Sequence, residues 1–271
     1  AGANELWFDF EDASYIAGQT PAMPGFNLNE KQSDGGSIVI RQENAGGASN
    51  QYLELSKTVL ASQSSNDVYI QTNAAYDVTL RTQISFKIRS ASANGNISIS
   101  FRDDNSNAGN GTVELLSFNN ASGLITYGKE YAGSVKESFL PTEWTEIVID
   151  MNILEDNIKI YRDDTLKATL TGVKTNTDKL ENYNYASCSL RFQEYGSGGT
   201  GAVTTYELDD IRFSLSDSFD SRFAISDKAL YKMIDGKVRE LDSLKAGNLT
   251  ASAAVENLSQ SNQSVRLAAA V

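Results

Sequence analysis

A chain of 271 residues is long enough for two ordinary domains, or for one large β domain with a fragment attached. Its 23 Lys and Arg stand against 35 Asp and Glu, a formal charge of −12, so the backbone of a nucleic acid or an anionic membrane surface would repel it. There is no histidine, which removes Ser-His-Asp and Cys-His catalysis and His-ligated zinc together.

The one cysteine, Cys188, has no partner for an internal disulfide and reads as a small apolar residue. No apolar run approaches the ~20 residues of a membrane span, so no membrane insertion is expected. Residues 1–4 lack the basic and apolar regions of a signal peptide, and the chain is expected to be a mature or excised piece. Twelve Tyr and 11 Phe against 3 Pro, with abundant Asn, Ser, Thr and Gly, suit short strands and polar loops. The expected class is all-β.

Period-two alternation marks strands over residues 37–41, 52–56, 67–72, 82–89, 96–102, 112–118, 146–151, 157–161, 187–193 and 204–213. Ile84, Phe86 and Ile88 share one face while Ser85, Lys87 and Arg89 take the other, and Ile97, Ile99 and Phe101 repeat this against Ser98, Ser100 and Arg102. Between them, 103–111 and 196–201 are too polar and Gly-rich for a core and are expected at the surface. The pattern changes after Phe213. Residues 214–221 read as a linker, with a domain boundary near Asp217. The tail offers strands over 229–234, 237–241, 249–257 and 264–271, too few for a sandwich of its own.

Three stretches together resemble the jelly-roll sandwiches of carbohydrate-binding modules and of laminin-G or concanavalin-like domains. They are the opening Leu6-Trp7-Phe8-Asp9-Phe10-Glu11-Asp12, the pair Glu143-Trp144-Thr145-Glu146-Ile147-Val148-Ile149-Asp150 and Ile158-Lys159-Ile160-Tyr161-Arg162-Asp163-Asp164, and the closing Tyr206-Glu207-Leu208-Asp209-Asp210-Ile211-Arg212-Phe213. The resemblance implies a two-sheet antiparallel jelly roll over residues 1–217. In the tail, residues 246–257 are similar to an opening stretch of the Ig-like or fibronectin-like domains of secreted bacterial proteins. Residues 218–271 are therefore expected to be a linker and the truncated start of an Ig-like β-domain.

In jelly-roll modules the first and last strands pair at one edge. That implies a corner shared by Asp9, Glu11, Asp12, Asp209 and Asp210, where a structural Ca2+ would relieve the repulsion between carboxylates. Sugar sites stack rings on aromatics and hold hydroxyls with planar polar groups. Alternation along 187–195 buries Cys188, Leu190 and Phe192 and turns Arg191, Gln193 and Tyr195 the other way, while the same logic exposes Arg102, Tyr69, Gln71 and Lys87. Arg102, Arg191, Gln193, Tyr195 and Tyr69 form the expected ligand face, suited to an acidic glycan, with Glu114 or Glu194 as ordinary solvated partners for its arginines. Trp7 and Trp144 are expected to face the core or seal hairpins.

A glycoside-hydrolase family with this fold carries Glu-x-Asp-x-x-Glu or Glu-x-Asp-x-Glu on one strand, its two acids ~5 Å apart. Glu207-Leu208-Asp209 begins that motif, and Ile211 and Arg212 stand where the second Glu belongs. The expectation is therefore a non-catalytic module of a secreted or cell-surface protein, joined to other domains of its parent chain and binding a plant or cell-wall polysaccharide. A structural or adhesive spacer, and a jelly-roll polysaccharide lyase or glycoside hydrolase, are the alternatives.

Overall fold

The structure, a computed structural model, describes residues 5–30, 35–45, 48–60, 68–72, 81–103, 112–129, 133–152, 157–171, 188–196, 198–216, 223–234, 237–240 and 250–257. The chain divides into two compact units, Ala1–Asp217 and Ser218–Val271. The first contains β1 (Glu5–Phe8), β2 (Phe26–Asn29), β3 (Gly36–Ala45), β4 (Ala48–Thr58), β5 (Val68–Thr72), β6 (Arg81–Arg89), β7 (Asn96–Asp103) and β8 (Thr112–Asn119). It continues with β9 (Leu124–Tyr127), β10 (Val135–Ser138), β11 (Thr145–Asn152), β12 (Asn157–Arg162), β13 (Thr165–Leu170), β14 (Cys188–Tyr195) and β15 (Val203–Ser216). Among the described residues there is no helix long and apolar enough to cross a membrane.

These strands build two sheets in which every pairing is antiparallel. The eight-stranded sheet runs β13-β12-β11-β6-β15-β4-β3, with β1 beside the second half of β15. The seven-stranded sheet runs β10-β9-β8-β7-β14-β5-β2. The chain passes repeatedly from one sheet to the other, and this is the jelly-roll sandwich the resemblance implies. Alternation decides which side chains are sealed between the sheets: on β11 every second residue from Thr145 is buried, and Ile84, Phe86 and Ile88 on β6 meet Leu190 and Phe192 on β14 in one core. Phe86 and Phe192 touch edge to face across the interlayer, ring centroids 5.0 Å apart. Tyr206 of β15 spans the same gap, its hydroxyl donating to the Phe118 carbonyl at 3.1 Å and to Asn120 Oδ1 at 2.8 Å.

Sheet alternation also corrects one expectation about a face. Glu194, taken as a solvated partner for surface arginines, points into the core and is fully buried, accepting from the Thr204 hydroxyl at 2.6 Å. The strands β2, β9, β10 and β13 had no clear alternating signal: three of them are four residues long, and β13 begins with two exposed residues.

In the second unit β16 (Phe223–Ile234) lies between β17 (Lys237–Glu240) and β18 (Thr250–Asn257), all antiparallel. The expected strand over 264–271 lies outside the described residues. Three strands fall short of the ~7 of an immunoglobulin sandwich and do not establish an Ig-like domain.

Candidate functional site

Two outer faces carry the polar side chains of the sandwich. On the seven-stranded sheet the register aligns them in rows across the strands. One row reads Asn27, Gln71, Arg191, Ser100 and Glu114 on β2, β5, β14, β7 and β8. The next reads Asn29, Tyr69, Gln193, Ser98 and Ser117, and Tyr195 follows opposite Asn96. A bulge on β8 at Leu115 lets Glu114 face Ser100 while Leu116 faces Ile99.

Arg191 is held from two sides. Its guanidinium lies over the Tyr69 ring, 3.9 Å from the centroid, and its Nε–H donates to Gln71 Oε1 at 2.6 Å. Tyr195 accepts from the Ser98 hydroxyl at 3.4 Å. The floor beneath these groups is polar yet closed to bulk water: Ser98, Ser100 and Ser189 are at most 2% exposed, Gln193 6% and Gln71 9%. Of the residues expected on the ligand face, Arg191, Gln193, Tyr195 and Tyr69 therefore come together. Arg102 stands opposite Ser189 on the neighbouring strand, and its side chain lies outside the described residues, as does the 104–111 loop. Lys87 does not join them. It belongs to the opposite sheet, where it pairs with Asp210 at 2.5 Å.

The outer face of the eight-stranded sheet is organised around Arg89. Its guanidinium sits 4.3 Å from the Trp144 ring centroid and 5.1 Å from that of Tyr52, and donates to Glu43 at 2.7 Å and to Glu207. Trp144 is thus half-buried under an arginine, outside the core, and Trp7 is 62% exposed near Arg212. Both depart from the expected inward placement: Trp7 stands opposite Arg212 at an outward position of β1, and Trp144 lies just ahead of β11 against Arg89 and Tyr52. Burial raises the Glu207 carboxyl above its ordinary range even though Arg89 opposes the shift. Burial likewise raises Asp209 to about 6, against the hydrogen bond its carboxylate accepts from the Asp210 N–H.

The five acids expected to share a calcium ion are not gathered. β1 does pair with the end of β15, Trp7 opposite Arg212 and Phe8 opposite Ile211. Each carboxylate nevertheless turns to its own partner: Asp9 accepts from the Glu11 N–H, Asp12 from the Ser14 N–H, and Glu11 from the Gln51 N–H at 2.8 Å. Asp209 accepts from Asn50, and Asp210 holds Lys87. Phe10, just past β1, and Asp210, within β15, both take left-handed backbone angles, φ 58° and 48°. Among the described residues there is no group of three or more His, Cys, Asp or Glu that could hold a metal ion.

No protein-family profile matches the sequence, and neither does any curated protein. Solved structures share the fold. One comes from work on endo-acting O-glycanases that members of the human gut microbiota express to initiate mucin breakdown; it is 13% identical over 78% of this chain and 98% of its own, with a TM-score of 0.52. A Crh5 transglycosylase is 13% identical over 80% and 85%, and an endo-1,3-β-glucanase from Streptomyces sioyaensis 12% identical over 80% and 98%, each with a TM-score of 0.50. At such identities the likeness is one of fold, a concanavalin-like jelly roll. It also corrects the expectation of a non-catalytic module, which rested on one incomplete motif: this architecture is the one that a transglycosylase and a glucanase use for catalysis.

Proposed function

We propose that residues 1–217 are a polysaccharide-processing jelly roll, a glycoside hydrolase or transglycosylase, that seats its glycan on the outer face of the seven-stranded sheet. The observation that carries this reading is the pair of in-register rows, in which Asn27 and Asn29 lie beside Arg191, Tyr69 and Tyr195, with Gln71 and Gln193 buried beneath them. Planar amides and a fixed guanidinium hold hydroxyls, and a tyrosine ring offers an apolar face to a pyranose. Kinship of fold with glycan-active enzymes supports the same substrate class.

Breaking or transferring a glycosidic bond needs an acid that gives its proton to the leaving oxygen, while water in hydrolysis, or an acceptor sugar hydroxyl in transfer, bonds to the anomeric carbon and gives up the proton that restores the acid. Among the described residues of this face, the carboxylate is Glu114, in the row of Arg191. Glu207 and Asp209, the start of the hydrolase motif, lie on the other sheet, and Arg89 engages Glu207. Glu114 is therefore assigned the proton transfer. Polysaccharides of this kind lie outside cells, which suits a secreted or cell-surface protein.

The test is the full chain on a panel of polysaccharides, measuring new reducing ends, transfer products and binding heat together. Glu114→Gln is expected to lower turnover by roughly 10²-fold or more, the usual range for a lost general acid, with binding kept. Arg191→Ala with Tyr195→Ala is expected to abolish binding. Turnover that survives Glu114→Gln, or binding that survives the double variant, overturns the assignment of this face.

A further inference from the structure

The two outer faces of the sandwich differ in how many carboxylates they carry. On the eight-stranded sheet Glu43, Glu54, Glu146, Asp150, Glu207 and Asp209 take outward positions, interleaved with Arg41, Lys87, Arg89, Lys159 and Arg212. The outward positions of the seven-stranded sheet carry Arg191 and Lys136 against Glu114 among the described side chains. A chain of net charge −12 thus keeps one broad face almost clear of carboxylates and fixes a guanidinium near its middle.

We infer that the glycan held on this face is anionic, a polysaccharide whose sugars bear carboxylates. The inference rests on the glycan reading above and narrows its substrate class. A neutral glucan gains nothing from the clearing of acids, whereas a polyanion meets a single described carboxylate, Glu114, on this face. The guanidinium also has the right form. It is a planar fork that matches a carboxylate in two parallel hydrogen bonds, and stacking on Tyr69 with Nε–H on Gln71 removes the rotamer freedom that binding would otherwise have to freeze. Asn29 in the adjoining row supplies an amide for a neighbouring hydroxyl. Lysine in place of Arg191 would keep the charge but lose the fork.

Calorimetric titration of the full chain with polygalacturonate and alginate fragments, set against β-1,3-glucan and arabinoxylan fragments, tests this at low and at high salt. The uronate fragments are expected to bind at least about tenfold more tightly than the neutral ones, ~1.4 kcal/mol, and to weaken as salt rises. Arg191→Lys should lose most of that preference. Gln71→Glu, nearly isosteric and placing a carboxylate against the Arg191 Nε, should lose it too; Lys87→Gln on the opposite face should change nothing. Melting temperatures of the variants identify any that fail to fold, and the two substitutions at different positions give independent readings. Equal or tighter binding of the neutral glycans, or a uronate preference untouched by Gln71→Glu, overturns the inference and leaves the glycan-processing reading standing. Binding of neither class overturns both.

Discussion

Arg89 shows how one side chain can secure a sheet face that no local pattern marks. It joins β6 to Glu43 on β3, Tyr52 on β4, Glu207 on β15 and Trp144 ahead of β11, residues that lie up to 118 positions from it in sequence. Its replacement by Ala strands two carboxylates, one of them Glu207 at 6% exposure, and is expected to cost about 3 kcal/mol in chemical denaturation. A loss under ~1 kcal/mol would mean that water already screens the pair. Asp209, nearby, works in the opposite direction. Its carboxyl is raised to about 6 in the folded chain from about 3.9 unfolded, so the folded state holds its proton longer, and stability from this group falls as pH rises from about 4 through 6. Asp209→Asn should therefore raise the melting temperature by ~2–4 °C at pH 7.5, for about 1 kcal/mol after allowance for solvent screening, and leave it unchanged at pH 4. Alternation made Arg191, Gln193, Tyr195 and Tyr69 legible as neighbours on one face, because β-strand geometry converts sequence parity directly into a side of the sheet. The arginine clamp was not legible, since its contacts depend on which strands pair, and neither were the separate partners of Asp9, Glu11, Asp12, Asp209 and Asp210.

At the scale of elements, long strands with apolar residues on one face were readable and short ones were not. β6, β7, β11, β14 and β15 each bury a continuous alternating set, whereas β10 is almost wholly exposed and is held by pairing with β9 rather than by its own composition. The hairpin from β12 to β13 is a case where the turn does the specifying. Asp163 and Asp164 both take positive φ, 47° and 61°, as a two-residue turn of the primed type requires for a match with strand twist. Asp163 has a second task, accepting from the Glu146 N–H at 3.0 Å, and Asp164 is exposed without one. Glycine meets the left-handed angle without the steric penalty that an L side chain bears there. Asp164→Gly is thus expected to stabilise the protein by ~0.5–1 kcal/mol, measured as an upward shift of the urea midpoint at constant m. Asp163→Gly, which also loses its hydrogen bond, should gain less or destabilise. Equal gains at both positions would show that the Asp163 bond is idle.

For the whole molecule, the division at Asp217 makes a claim about cooperativity. Both sheets of the sandwich and its single core lie in Ala1–Asp217, and every strand pairing of β16, β17 and β18 stays within Ser218–Val271. Among the described residues no strand of the first unit takes a ladder partner from the second. Its closing strand is also anchored along most of its length: β15 pairs with β6 up to Ser216, with β4 over its first half and with β1 over its second. The piece 1–217 is accordingly expected to unfold in one sharp transition, with a midpoint within a few degrees of the main transition of the full chain, and coincident traces by fluorescence and circular dichroism. The two tryptophans, Trp7 and Trp144, both belong to this unit, so fluorescence follows it alone while circular dichroism follows both units. In the full chain the two probes should then separate if the second unit melts on its own, and coincide in the isolated piece. A broad, uncooperative transition in 1–217 would mean that the tail supplies packing to the jelly roll, and the boundary would have to move.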